Sequence, residues 1–487
     1  MDNNSANTSK LEDQTVLSSF DQPLNPPDCD KDERSNEQSA MYAEEVELTE
    51  MFDMVLLCTY AKAKKVINSE IPSEVEKSPN NAALDLKTLL TSCAQSVASG
   101  DQESASEKVK QIRQESSPTG DTYQRLATIF ADGLEARLSR GGATLFKGGT
   151  IELPSLPLSL EGTAVQPHAA LTPKRMTNAA DNLKAYHVHL SSCPFIKVSM
   201  SFANKMIFQT AHNSTTLHII DFGIRYGFQW PILIQHLSMM PHGPPKLRIT
   251  GIDLPQPGFR PAEGLEETGC RLARYCKRFN IPFEYNAIAI QNWERIKIKD
   301  LKLGSGEFVA VNCLFRFENL SDETVDVECP RDAVLTLIRE LNPDIFVQSV
   351  TNASYNSPFF VTLFQEALLH YSTLFDMFDA TLPRDDQQRL HFEQELCRRE
   401  AINVIACEGA ERVERPETYE QWQVRNVRAG FKILPLNQQV MKTLQDKVEA
   451  GYHRDFVLYK NGNWMLQGWK DRIICASSCW IPLHRSY

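Results

Sequence analysis

The chain has 487 residues, 42% hydrophobic and 23% charged, with a formal net charge of −11. That length holds one large domain or two ordinary ones with ample core, and the composition matches the soluble globular class. An acidic balance excludes a globally basic nucleic-acid binder, no apolar run reaches bilayer-spanning length, and MDNNSANTSKLEDQ lacks the basic-then-apolar pattern of a secretory leader.

The charge is uneven. Residues 1–82 carry 17 acidic against 7 basic side chains, a net of −10, so the remaining body is nearly neutral. Any DNA contact by the body therefore needs a local patch. Residues 1–40 are polar and acidic and predict disorder. Glu44–Cys58 (EEVELTEMFDMVLLC) mixes acids with apolar residues. It reads either as an activation-type segment that folds on a partner or as a short helix packed on the body. Lys62, Lys64 and Lys65 form a weak nuclear-import signal. The 12 cysteines show no CxxC pair and read as free thiols, Cys475 and Cys479 included.

From Asp85 the pattern is regular. Leu86, Leu89, Leu90, Cys93, Ala94 and Val97 predict an amphipathic helix ending near Gly100. Further helices are predicted at Lys108–Arg113, Tyr123–Leu138, Ala179–Ala185 and Ile196–His212, with a proline-rich loop over 153–173. At Leu217 the texture changes to alternating strands and helices. Strands are expected at Leu217–Asp221, Leu247–Asp253, Phe283–Ala287, Phe308–Asn312 and Asp344–Val350, with helices at Trp230–Met239, Ala262–Phe279, Pro330–Glu340 and Pro358–Tyr371. A charged helix over 384–400 and a strand at Val404–Cys407 follow. Asp455–Tyr459 and Trp464–Gly468 flank Asn461-Gly462, a type I′ hairpin signal, and Ile473–Ser477 gives a last strand. The fold class is α/β: a Rossmann-like, mostly parallel sheet with a C-terminal antiparallel hairpin, a layout that many S-adenosylmethionine-dependent methyltransferases use. An α-helical cap precedes it. The expected division is a tail over 1–82, a mainly helical cap over 83–212 and an α/β core over 213–487.

The stretch Leu217–Pro231 (LHIIDFGIRYGFQWP) carries the chemistry question. An apolar strand ends in Asp221 and turns through Gly223 and Gly227 into a helix, as nucleotide-type cofactor loops do. Asp253 closes the next strand, where a ribose would be held. The loop pattern D-x-G-x-G-x-G has Arg225 at its middle glycine, and a long side chain there fills the ligand's space unless it turns outward. This favours a vacant or repurposed cleft over cofactor binding. No GxxxxGK[ST], HExxH or GxSxG motif occurs. His218 sits inside the strand as a core or hydrogen-bonded histidine.

Five ordered segments resemble those of the plant GRAS-domain family, scarecrow-like group. TLLTSCAQSVASGD and QRLATIFADGLEARL resemble its first leucine-rich region. Leu217, His218, Ile219, Ile220 and Asp221 stand where the family has VHIID, and the second leucine-rich region would fall near 247–280. Pro358, Phe364, Tyr371, Arg399 and Glu400 match PFYRE. Arg412, Val413, Glu414 and Arg415 spell RVER, and Trp469 with Ser478, Cys479 and Trp480 matches SAW, Cys479 being the departure. The tail shows no DELLA-type segment, which argues against the gibberellin-repressor branch. The resemblance implies a helical cap on a methyltransferase-like core, residence in the nucleus, and transcriptional regulation without enzymatic activity. The implied partners are DNA-binding transcription factors, other nuclear proteins, and a second GRAS chain in a homo- or heterodimer. No cofactor, metal or membrane is expected.

The residues also carry plainer readings. The leucine-rich stripes fit core packing, and RVER fits an ion-pair network near the surface. Trp464, Trp469 and Trp480 fit anchors of the hairpin and last strand against the cap. Arg271, Arg274 and Arg278 form a stripe at i, i+3, i+7 that either meets phosphate or pairs with Glu266 or Glu267 on a solvated face. The alternative to a regulator is an S-adenosylmethionine-dependent methyltransferase or small-ligand-binding protein using the cleft beside Asp221, Gly223, Gly227 and Asp253.

Overall fold

Three helices open the computed structural model, which describes residues 81–139, 193–256 and 258–485. They are α1 (Asn81–Ser99), α2 (Gln102–Glu115) and α3 (Thr122–Ser139). Leu86, Leu90, Cys93 and Ala94 of α1 and Leu126, Phe130 and Leu134 of α3 are buried, so the leucine-rich stripes are core. Asp101 caps α2 by accepting from the Ser104 N–H at 3.0 Å. The acidic tail, the Glu44–Cys58 segment, Lys62, Lys64 and Lys65, the Ala179–Ala185 helix and the 153–173 loop lie outside the described residues.

Helix α4 (Phe195–Thr210) leads into the alternating part of the chain: β1 (Thr216–Phe222), α5 (Trp230–Ser238), β2 (Lys246–Asp253), α6 (Glu263–Arg278), β3 (Phe283–Ala289), β4 (Phe308–Leu314), α7 (Pro330–Leu341) and β5 (Ile345–Thr351). There follow α8 (Phe360–Thr381), α9 (Gln387–Phe392), a π turn over Glu393–Cys397, α10 (Arg398–Ala406), α11 (Tyr419–Arg428), β6 (Phe431–Ile433), α12 (Gln438–Gly451), β7 (Phe456–Asn461), β8 (Trp464–Trp469) and β9 (Arg472–Pro482). The sheet order is β3-β2-β1-β4-β5-β9-β8-β7, with β6 paired to the far end of β9. The first five strands are parallel, and β9, β8 and β7 run antiparallel.

Alternation along β1 splits the core in two. Leu217 and Ile219 face α4, α5, α6 and α12. Ile220 and Phe222 face α7 and α11 together with Trp293 and Phe317. Two buried polar chains tie α4 to the sheet. Ser199 approaches Ser477 at 3.3 Å and Ser477 approaches Ser349 at 2.7 Å, while Gln467 donates to Ser199 at 2.8 Å. Asn204 donates to the Gln229 carbonyl at 2.9 Å.

The helical layer is not confined to the residues before β1. Helices α8 and α10 pack on α3, and α8 also on α1. Phe130 meets Phe364 edge-on at 5.3 Å and Tyr371 at 6.1 Å. Beneath them Arg125 pairs with Glu393 at 2.9 Å and Asp379 at 2.8 Å, and Arg389 pairs with the same two carboxylates.

Three expectations need correction. Val404–Cys407 is not a strand: residues 404–406 end α10, and a four-residue apolar run does not by itself distinguish strand from buried helix. The charged helix expected over 384–400 starts at Gln387 as α9 and runs through a π turn into α10, and its Arg389 and Glu393 are buried in the ion cluster. The hairpin exists, but Asn461 pairs with Trp464, so its turn is Gly462-Asn463. Gly462 has φ +55° and Asn463 is not in the left-handed region. A glycine at the first central position fits a type II′ turn rather than type I′.

Candidate functional site

Strand β1 delivers Asp221 to the C-terminal edge of the parallel sheet, where open α/β sheets bind ligands. Its carboxylate is already engaged: Trp230 Nε1 and Asn312 Nδ2 each donate to it at 2.8 Å. Asn312 also donates to Gln229 Oε1 at 3.1 Å, and Gln229 donates to Asn204 at 3.2 Å. Asp221 is thus the end of a buried polar chain reaching α4. Burial pushes its pKa up to about 7, against the two hydrogen bonds that pull it down.

The loop after β1 is closed by protein. Gly223 has φ +93°, and a Cβ there would run into the Arg316 side chain. Arg316, from the turn after β4, is buried and reaches Asp253 Oδ1 at 3.4 Å and Asn319 Oδ1 at 3.2 Å. Asp253 also accepts from the backbone N–H groups of Arg225 at 2.9 Å and Leu254 at 2.8 Å. Arg225 itself stands at φ +49°, its carbonyl accepting from Thr268 at 2.9 Å, and its side chain is exposed. The middle-glycine position therefore sends its side chain outward, and Arg316 fills the loop instead. At Gly227 a Cβ would touch Thr268 and Leu272 of α6, so this glycine serves helix–loop packing. S-adenosylmethionine does not fit these residues. The space against Gly223 holds a guanidinium, and the carboxylates Asp221 and Asp253 are spent on internal donors.

His218 is buried with Nδ1 3.0 Å from Glu307 and Nε2 2.9 Å from Thr250. Desolvation holds its pKa below the ordinary value, in keeping with a hydrogen-bonded core histidine. The arginine stripe on α6 is broken: Arg274 and Arg278 are exposed, but Arg271 is buried and donates to Thr268 at 2.7 Å. A phosphate-facing surface using all three is not what the helix presents.

The motif residues fall into two groups. Phe364, Tyr371, Trp469, Ser478, Cys479 and Trp480 are buried packing or pairing positions, and Pro358 is exposed. Trp464 and Trp480 lie on the face covered by α7 and α11, away from the cap, with Trp464 Nε1 donating to Gln423 of α11 at 2.7 Å. Trp469 alone packs on the cap side, 4.8 Å from Phe456 and bonded to Asp376 of α8 at 2.7 Å. The RVER network is buried rather than superficial. Arg415 pairs with Asp322 at 3.2 Å, and Asn403 Oδ1 accepts from the N–H groups of Val413 at 2.9 Å and Glu414 at 3.1 Å. Arg412 donates to the carbonyls of Cys407 at 3.0 Å and Tyr355 at 3.2 Å.

Glu400 and Glu414 form the second group with Arg399. Glu414 accepts from Asn319 at 3.3 Å, Glu400 feels the charge of Glu414, and both feel those of Arg399 and Arg225. Burial and then Glu414 push Glu400 up to about 8, and burial and Glu414 push Glu318 up to about 7. Glu414 is also raised by burial, against Arg316 and Arg399. The sequence reading missed Arg316, Glu318, Asn312, Gln229 and Asn204. The available signal was polar residues placed inside or just after apolar strands, at Asn312 and in Arg316-Phe317-Glu318.

Fold and loop together define a Rossmann-like α/β domain under a helical cap, with its cofactor loop closed by an arginine. Residues 86–481 match the GRAS domain family, and the chain belongs to that family. It is 52% identical to Scarecrow-like protein 14 of Arabidopsis thaliana over 475 residues, covering 93% of this chain and 59% of that protein. To Scarecrow-like protein 34 of the same plant it is 50% identical over 465 residues, covering 92% and 71%. The chain thus spans less than two thirds of the length of the first of these relatives. A solved structure, SCL7 of Oryza sativa, superimposes with a TM-score of 0.67 at 26% identity, covering 83% of this chain and 100% of that one. Among the described residues no helix is long and apolar enough to cross a membrane.

Proposed function

We propose that the protein is a nuclear, non-enzymatic regulator of transcription that acts as a co-regulator or scaffold on DNA-binding factors. The observation that carries this reading is membership of the GRAS family over residues 86–481 in a domain whose cofactor loop Arg316 fills. A relative 33% identical over 396 residues bears the name Scarecrow-like transcription factor PAT1, which supports the reading. The net charge of −10 on residues 1–82 supports an activating tail, and we place the division of the chain at a tail over 1–82, a cap from 83 and a core from 213.

Two measurements test this. Residues 1–82 fused to a neutral DNA-binding domain should drive a reporter, and an inert fusion removes the activation part. The full chain should co-purify from nuclear extract with a DNA-bound factor, and loss of that association after nuclease treatment would replace the scaffold with direct DNA contact. For the methyltransferase alternative, calorimetric titration with S-adenosylmethionine should give no heat.

A further inference from the structure

A groove between α4 and α5 shares no residue with the closed loop after β1. Lys205 and Phe208 of α4, His236 of α5, and Met239, Met240 and Pro241 beyond it line about 370 Å³. Phe208 stands edge-on to His236 at 6.0 Å, and Met239 is 54% exposed. Thioethers on a surface adapt to whatever apolar group they meet. The rim is basic. Lys205 and, from α12 packed against α4, Lys447 both bear on the charge of His236. None of the described residues lining the groove is a carboxylate, and the sole acid between Phe195 and Ile252 is the buried Asp221.

The same chain carries the complementary sequence. Glu47–Cys58 (ELTEMFDMVLLC) holds three acids and no base. At helical spacing Leu48, Met51, Phe52, Val55 and Leu56 share one face, and Glu47 and Asp53 border it. An apolar helix face is what a hydrophobic groove receives, and its acids here meet a rim of the opposite sign. Residues 59–80 join the segment to Asn81, the start of α1. Extended, that stretch spans about 70 Å, enough to reach any face of a domain of this length.

We infer that Glu47–Cys58 docks as a helix in the groove between α4 and α5 of its own chain. Phe52 and its apolar neighbours lie against Phe208, Met239 and Met240, with Glu47 and Asp53 toward Lys205 and Lys447. The docked helix is the second of the two readings that its acidic and apolar mixture allows. A partner that binds the same face more tightly draws it away. The contact does not depend on the tail being an activator.

Hydrogen–deuterium exchange of the full chain, read by mass spectrometry, tests this. Amides of residues 48–58 should exchange about tenfold slower than their intrinsic rates, the protection that a weak contact on a tether gives. Met239→Asp and the pair Lys205→Glu/Lys447→Glu should each abolish that protection and leave the exchange of β1 unchanged. Adding Glu47→Lys/Asp53→Lys to the lysine pair should restore it, which a helix packed elsewhere would not do. Protection should hold on about tenfold dilution, because the tether sets the effective concentration. Exchange of 48–58 at the intrinsic rate overturns the proposal, and so does protection that survives Met239→Asp. Protection that fades on dilution overturns it in favour of a second copy of the chain. If the lysine pair does not fold, Met239→Asp, at an exposed position, and the dilution series decide. An inert reporter fusion leaves this contact standing, and fast exchange leaves the reporter result standing.

Discussion

Arg316 and Gly223 hold the cleft in its closed form, and each can be tested against the other. Gly223→Ala meets a left-handed backbone costing about 1–2 kcal/mol and a side chain already in place, which adds about 1–3 kcal/mol. In a Gly223→Ala/Arg316→Ala pair the steric part should vanish while the backbone part stays. Chemical denaturation of the two single variants and the double should therefore show a favourable coupling. An additive cycle would mean that Arg316 does not fill the loop. The carboxylates beside it set a pH response. Glu400, with its folded pKa raised to about 8, favours folding while protonated. That contribution is complete below the unfolded value near 4 and is lost as pH rises through about 8. Asp221 and Glu318, raised to about 7, act in the same sense. Glu400→Gln should therefore flatten the fall in melting temperature between pH 5 and 8 relative to the unaltered chain. An equal slope would remove Glu400 as a source. At this scale the sequence displayed the acidic and glycine positions of the loop plainly. It hid Arg316, because that side chain arrives from another strand end, and chain distance carries no trace of the encounter.

The elements show why periodicity succeeded in some places and failed in others. Helices α1 and α3 have one apolar stripe and one polar face, so their spacing announces them. Helix α10 is buried against α3 and reads as a short apolar run with no polar alternation to give its period away. The same burial hides the ion cluster of Arg125, Arg389, Asp379 and Glu393, of which the sequence showed only a charged helix over 384–400. Removing one member strands the others without solvent. Glu393→Gln should cost about 3–5 kcal/mol, read as a lower denaturation midpoint. Faster hydrogen exchange should be confined first to α3, α8 and α9. The paired replacement Arg125→Met/Glu393→Leu should recover part of that loss, because well-packed apolar side chains of similar volume often stand in for a buried ion pair. A single variant as stable as the parent would show the cluster to be energetically idle.

At the scale of the whole molecule, strand–helix alternation was enough to anticipate a parallel sheet with a hairpin at its end. It did not tell which helices close the cap. Since α8 and α10 lie across α1 and α3, the apolar faces of the first helices are completed by segments far along the chain. A fragment of residues 81–210 should therefore not fold. Its amide spectrum should be collapsed, whereas residues 81–485 should give a dispersed one. A well-folded short fragment would make the cap an autonomous domain. The cap and sheet should therefore unfold as one cooperative unit, linked by the buried chain from Asp221 through Asn312 and Gln229 to Asn204.

Strand β9 comes after every other described strand, yet it lies between β5 and β8. During synthesis, β5 and β8 therefore wait with open edges until β9 has cleared the ribosomal tunnel. The nascent chain presents two unpaired strand borders for that interval, an aggregation hazard. A premature stop shortly before Arg472 would leave that gap permanent, so late truncations should be as damaging as early ones and should yield insoluble chains rather than shortened functional ones.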